Sequence, residues 1–263
     1  MAIKALCFDL DGTIYLGETL LPGAREILAA LKKDGKKQLF VSNNPLRDRE
    51  QYVSKLQKMG IDATLPEIIN SSYVLCKHLK KIAPKATVYP IGEEALAREL
   101  QENGFLISTD PEKIQYVIAS FDRTFEYEKL IIALRALERG AHFIATNPDQ
   151  TCPFEDGALP DAAAVIGAIE AMTGEKVEWV AGKPSEVMAA AMLEHLNLEP
   201  HEILMVGDRL QTDIALGKHG FKTALVLSGI AKREDLATSP QQPDFIIEGI
   251  WELPALLQKE GSA

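Results

Sequence analysis

The sequence predicts an α/β fold built on a parallel sheet, and three observations carry that expectation. Short apolar runs alternate with helix-period segments, the runs stop at polar or glycine-bearing loops, and the rhythm seen early returns late. Ala5–Phe8 is a compact apolar run that stops at Asp9 and Gly12, which reads as a buried strand entering a loop. Pro22-Gly23 opens a helix whose apolar positions Ala24, Ile27, Leu28 and Leu31 keep the i, i+3, i+4, i+7 spacing, and Gly35 closes it. Gln38–Val41 is a second strand, ending at Ser42-Asn43-Asn44. A helix carrying Tyr52, Val53, Leu56 and Met59 follows, before Gly60. With strands and helices in alternation, right-handed crossovers between parallel strands are the economical connection.

Trp179–Ala181 ends at Gly182-Lys183-Pro184 and leads into a helix with Val187, Ala190, Ala191 and Leu193. Ile203–Val206 ends at Gly207-Asp208, and Ala224–Leu227 is a further strand. Between the two halves, Thr87–Ile91, Tyr116–Ala119 and His142–Ala145 read as three strands, with helical segments around Ala95–Leu100 and Leu130–Leu137. That gives a middle domain without an internal repeat or a Ser/Gly linker to mark its edges.

The 28 Lys and Arg stand against 38 Asp and Glu, a net charge of −10, which argues against a nucleic-acid partner. Hydrophobic residues at 46% and charged residues at 25% are ordinary globular usage and exclude a largely disordered chain. Charged residues interrupt every apolar stretch well short of a bilayer span, so no membrane association is expected. Asp9 arrives before a signal-peptide core can form. Cys7, Cys76 and Cys152 are scattered and odd in number, which fits free thiols in the cytoplasm.

Chemistry collects at the strand ends. Along extended backbone, residues i and i+2 face the same way, so Asp9 and Asp11 of Asp9-Leu-Asp11-Gly-Thr13 address one pocket. Two carboxylates there suit a hard cation such as Mg²⁺. Alternatively one attacks a phosphorus while the other moves protons. The pentapeptide also suits a plain polar turn; a calcium loop fits less well, because Gly12 falls fourth where that motif needs its glycine sixth. Ser42, Asn43 and Asn44 offer a hydroxyl, amides and backbone N–H groups for a phosphoryl oxygen, or simply a turn. Lys183 is either a cation for the transferring group or a solvated surface lysine. Asp208 fits a metal ligand, and Asp213 either supports it or favours the start of a helix. In the middle domain, Asn147-Pro-Asp149 is equally a substrate-reaching loop or a turn. His142 lies in an apolar strand and is expected to pack there. His78, His195, His201 and His219 have no spacing that suggests a shared metal.

The set Asp9-x-Asp11-x-Thr13, Ser42-Asn43-Asn44, Lys183 and Gly207-Asp208-x4-Asp213 resembles, in order, the four motifs of the haloacid dehalogenase superfamily of phosphohydrolases. Pro22-Gly23-Ala24, Asn43-Asn44 with Arg49, Ala145-Thr-Asn147-Pro-Asp149, Gly182-Lys183-Pro184 and Gly207-Asp208-Arg209-Leu-x-Thr212-Asp213 resemble its NagD-type, or para-nitrophenylphosphatase-type, branch. The resemblance implies a Rossmann-like parallel-sheet core (1–78 and 179–263) with an inserted α/β cap domain at 79–178. It further implies a Mg²⁺-dependent phosphatase acting on a small phosphorylated metabolite.

By position, Asp9 is then nucleophile and metal ligand, and Asp11 the general acid/base with its backbone carbonyl on the metal. Ser42 with the Asn43 amide holds the phosphoryl group, and Lys183 balances charge at Asp9 and the phosphate. Asp208 completes the metal shell, with Thr13 and Asp213 behind it. Asn44, Asn147 and Asp149 are substrate-side candidates. Pro45 departs from the Ser or Thr that many relatives carry and removes a backbone donor. A cap-mediated homodimer is an expectation by analogy alone. The competing readings are a phosphotransferase or mutase, in which a substrate hydroxyl takes the phosphoryl group, and a non-catalytic phosphate sensor.

Overall fold

The computed structural model describes residues 3–154 and 157–261; the expected domain ends at 1–2 and 262–263, and positions 155–156, lie outside the described residues. In chain order the first elements are β1 (Ala5–Phe8), the short pair β2 (Tyr15–Leu16) and β3 (Thr19–Leu20), α1 (Ala24–Lys33), β4 (Lys37–Ser42) and α2 (Arg49–Lys58). There follow β5 (Ile68–Asn70), α3 (Ser71–Ile82), β6 (Thr87–Ile91), α4 (Glu94–Glu102), β7 (Leu106–Ile107), β8 (Tyr116–Ala119), α5 (Tyr127–Leu137) and β9 (His142–Ala145). The rest are β10 (Thr151–Phe154), β11 (Gly157–Pro160), α6 (Ala162–Thr173), β12 (Trp179–Val180), α7 (Glu186–Leu196), β13 (Ile203–Gly207), β14 (Lys222–Val226), β15 (Phe245–Ile247) and α8 (Leu253–Gly261).

Packing divides the chain into two compact units. The first holds Met1–Ser42, Glu50–Ile69 and Met188–Ala263; the second holds Asn43–Arg49 and Asn70–Val187. In the first, six strands lie in the order β15-β14-β13-β1-β4-β5. The pairs β14–β15, β13–β14, β1–β13 and β1–β4 are parallel. All four residues of β1 are buried, as a strand covered on both faces requires. Leu6 and Phe8 of β1 pack with Phe40, Leu204, Val206, Leu28 and Leu31, the last two from the apolar stripe of α1. Each such side chain contributes about 1.5–3 kcal/mol when fully buried. The chain builds the sheet outward from β1 on one side and from β13 on the other. The switch point therefore falls between these two strands, where open parallel sheets bind ligands beyond their carboxyl ends.

The second unit has its own parallel sheet, ordered β12-β9-β8-β6-β7. Its core sets Ile91, Val117, Ala119, Phe143 and Ala145 against Ala133, Ala136 and Leu137 of α5 and Val165 and Ile169 of α6. The three middle strands fall where the apolar runs place them. The antiparallel pairs β2–β3 and β10–β11, and the short edge strands β5 and β15, have no counterpart in the sequence reading. Runs of two to four residues are too short to show a period, and Pro153 further masks β10. His142 is a correction: it is exposed, its ring stacks on Tyr116, and its Nδ1 lies 2.9 Å from Glu178 Oε1. As the first residue of β9 it stands at the strand's open end. No described helix is long and apolar enough to cross a membrane, and the three cysteines are buried and free of disulfides.

Candidate active site

The switch point of the first sheet gathers the acidic residues. The Asp9 N–H donates to the Val206 carbonyl at 2.9 Å, extending the β1–β13 ladder by one step and placing Asp9 beside the end of β13. One carboxylate oxygen from each of Asp9, Asp208 and Asp213 lies within 4.8 Å of the others. Asp9 and Asp11 are half-buried, while Asp208 and Asp213 are fully buried. Asp11 forms an isolated bridge to Tyr15 as the chain turns through Gly12. The neighbouring Thr13 is buried, and its hydroxyl has no hydrogen-bond partner.

Asp208 Oδ2 accepts from the Ile230 N–H at 2.8 Å, and the Asp208 carbonyl accepts from the Ala231 N–H at 3.0 Å. Its other carboxylate oxygen is buried and has no hydrogen-bond partner. Burial first, then the charges of Asp9 and Asp213, push the Asp208 carboxyl well above the ordinary carboxylate value. A buried acceptor lacking a donor, within an all-oxygen set of three acids, fits a hard divalent cation. Asp213 does not cap the short helical turn Ile214–His219 that follows it; its Oδ2 accepts from the Arg209 N–H at 3.0 Å and so closes the loop after Asp208.

Two glycines allow this crowding. A side-chain carbon at Gly229 would stand 2.0 Å from Asp208 Oδ2, and one at Gly12 2.3 Å from the same atom. Gly12 also has φ +87°, whereas Gly229 is needed for space alone. Gly229→Ala is expected to cost about 1–3 kcal/mol by overpacking. That corresponds to a fall in melting temperature of roughly 2–12 °C, at about 2–4 °C per kcal/mol for a chain near this size. An unchanged melting temperature would show that the loop simply moves aside.

At the end of β4, Ser42 Oγ lies 3.0 Å from the Tyr52 hydroxyl. The residues after Ser42 belong to the second unit and are tied into it. Asn43 exchanges two hydrogen bonds with the Lys183 backbone: Oδ1 accepts from Lys183 N–H at 2.7 Å, and Nδ2 donates to its carbonyl at 3.0 Å. The Asn43 carbonyl accepts from Ser71 Oγ at 2.7 Å and from Asn147 Nδ2 at 2.9 Å. Asn44 Oδ1 accepts from the Leu46 N–H at 2.9 Å, and its amide lies 3.5 Å from Cys152 Sγ. Lys183 is buried, not a solvated surface lysine. Asn147 Nδ2 also donates to Asp161 Oδ1 at 3.2 Å, and the Asp149 carbonyl accepts from the Ala163 N–H at 3.0 Å.

Four contributors escaped the sequence reading: Tyr52 as the partner of Ser42, Ser71, Asp161, and the Gly229-Ile230 loop. Asp161 carried a usable signal, since an Asp directly before the apolar run Ala162–Ile169 is an N-cap signature, and its side chain accepts from the Ala162 N–H. Ser71 and Ile230 act through contacts distant in sequence and carried none.

An acidic cluster that could hold a metal ion, at the switch point of a parallel sheet, fits the class of α/β enzymes. The comparisons are more specific. A family described as haloacid dehalogenase-like hydrolase matches residues 6–106, and a HAD-hydrolase-like family matches 180–253. The sugar-phosphatase AraL of Bacillus subtilis is 37% identical over 255 residues, covering 97% of this chain and 93% of the relative. The p-nitrophenyl phosphatase of Archaeoglobus fulgidus superposes with a TM-score of 0.92 at 34% identity, covering 97% of this chain and 100% of that one. NagD from Escherichia coli K-12 gives 0.86 at 30% identity, covering 96% and 98%. The chain belongs to the haloacid dehalogenase-like hydrolase family, on its NagD-like branch, and is an enzyme of the phosphatase class.

Proposed function

We propose that this phosphatase hydrolyses small phosphomonoesters, sugar phosphates foremost, through an aspartyl-phosphate on Asp9 and with Mg²⁺ as its metal. The observation that carries the reading is the meeting of the Asp9, Asp208 and Asp213 carboxylates at the switch point, in a chain whose relatives are phosphatases. Asp9 and Asp208, with the Asp11 carbonyl, would hold the ion, which supplies charge neutralisation for the phosphoryl oxygens when bound.

A carboxylate oxygen of Asp9 attacks the phosphorus in line, and the bond to the leaving oxygen breaks. Asp11 gives its proton to the departing alkoxide, then takes one from the water that attacks the phosphorus in the second step, freeing Asp9 and phosphate. Ser42 and the Asn43 amide hold the phosphoryl oxygens, and Lys183 offsets their charge; these roles rest on motif position. Thr13 and Asp213 support the loops, and Asn44, Asn147 and Asp149 stand on the substrate side of the reading. We keep 1–78 with 179–263 as catalytic core, 79–178 as cap, and the cytoplasm as location.

The test is phosphate release from para-nitrophenyl phosphate, sugar phosphates and nucleoside monophosphates with Mg²⁺, repeated with excess chelator. Release is expected with the ion and should fall by at least about 100-fold without it, in keeping with several kcal/mol of charge stabilisation. Silence across the panel in protein that binds Mg²⁺ would move the assignment to phosphoryl transfer onto an acceptor hydroxyl.

A further inference from the structure

The Asn43 carboxamide and the Lys183 peptide meet like two strands of a ladder. One acceptor and one donor in a plane engage one N–H and one C=O, at 2.7 and 3.0 Å. No other common side chain of this length offers both: Asp lacks the donor, and Ser has a single oxygen. The contact is buried, with Asn43 and Lys183 both nearly inaccessible, so each bond is made where water cannot replace it. Asn43 is itself held from behind, its carbonyl accepting from Ser71 Oγ and Asn147 Nδ2. Asn147 is in turn tethered to Asp161, the N-cap of α6.

Gly182 supplies an independent sign that the approach matters. A side-chain carbon there would stand 2.6 Å from Asn43 Oδ1 and 2.9 Å from the Thr146 carbonyl, so only glycine lets the two backbones close on the carboxamide. The Gly182 N–H also donates to that carbonyl at 2.7 Å.

We infer that Asn43 is a positioning residue for Lys183: its side chain fixes the lysine's backbone, and Ser71 and Asn147 fix Asn43. This rests on the reading of Lys183 as the cation of the phosphatase site. It also assigns the Asn43 side chain to holding the lysine in place and moves Asn147, buried and bonded to Asn43 and Asp161, from the substrate side to that same support, leaving the backbone N–H of Asn43 for phosphate. A cation must sit within a fraction of an ångström of its productive place to act on a developing charge, so a loosened backbone lowers the rate of the chemical step more than it weakens binding.

The test is a double-mutant cycle read by single-turnover cleavage of para-nitrophenyl phosphate, with enzyme in excess so that slow variants remain measurable. In the Lys183 background, Asn43→Ala is expected to lower the maximal rate about 10–100-fold and Ser71→Ala about 3–10-fold, with half-saturation changing less than about threefold. In the Lys183→Ala background, the same changes should cost less than about twofold, because the group they serve is gone. Equal losses in both backgrounds, or a loss confined to half-saturation, would overturn the inference and make Asn43 a direct substrate ligand. If Lys183→Ala alone keeps the wild-type rate, the reading of Lys183 falls and the inference with it, so the two failures are distinguishable. Should Asn43→Ala not fold, the Ser71→Ala cycle decides, since it removes a single buried hydroxyl.

Discussion

Asp9→Asn protein is expected to fold like the wild type and to lose phosphate release by at least about 10⁴-fold, the scale on which removal of a covalent nucleophile acts. The substitution keeps the shape of the side chain and replaces a charged oxygen with an amide that does not attack phosphorus. Folding is protected for a definite reason. Asp9 is half-buried and stands among two other carboxylates within 4.8 Å, so removing its charge relieves like-charge repulsion. The ladder bond from Asp9 N–H to Val206 is a backbone bond and survives the change. The melting temperature in chelator should therefore equal or exceed that of the wild type, while release from para-nitrophenyl phosphate vanishes. Wild-type turnover in demonstrably pure mutant protein would falsify the nucleophile assignment and turn attention to direct attack by water.

That prediction could be written from the sequence, and the reason is physical. β1 and β13 are buried on both faces, so they read as short apolar runs, and a run that ends in Asp9 or Gly207-Asp208 announces a polar loop at a strand's carboxyl end. The period-2 relation between Asp9 and Asp11 is likewise local. Contacts between distant segments are not legible in this way. Asn43 reads as a turn residue or a phosphate ligand, and only the folded chain shows its side chain spent on Lys183, 140 positions away. Ser71 reads as any serine until Asn70, whose side chain accepts from the Tyr73 N–H, caps helix α3 and makes Ser71 its first residue. Gly229 looks like any loop glycine, yet the space it leaves is filled by Asp208. The middle domain shows the same split: its strands are written in their apolar runs, whereas the exposure of His142 depends on where its strand begins.

Asp208→Asn carries the second large effect, and it has opposite signs for stability and for function. In metal-free protein the Asp208 carboxylate is buried, one of its oxygens lacks a donor, and two further acids face it. Leaving a buried charged acceptor unsatisfied costs about 1–3 kcal/mol or more. The asparagine keeps the bond from Ile230 N–H through its own oxygen and fits the same space, which Gly12 and Gly229 leave no larger. The variant in chelator should melt roughly 2–12 °C above the wild type, at about 2–4 °C per kcal/mol. The pH dependence fixes the cause. A carboxyl whose folded value is raised above its unfolded value near 3.8 imposes no penalty below that value. The penalty grows as pH rises through the window between the unfolded and folded values, because the folded state must then give up a proton it holds more tightly. The stability advantage of the variant should therefore be small in acid and grow as pH rises above the unfolded carboxyl value. Mg²⁺ reverses the comparison: a ligand that binds only the folded state stabilises it by RT ln(1 + [L]/Kd), so added ion should raise the wild-type melting temperature and leave the variant's nearly unchanged. Phosphate release should fall at least about 10³-fold, since the ion's charge is lost from the phosphoryl oxygens. A variant that melts below the wild type in chelator, or one that Mg²⁺ stabilises as strongly as the wild type, would remove Asp208 from the metal site. The same carboxylate that destabilises the empty fold is, on this account, what makes the fold able to hold the ion.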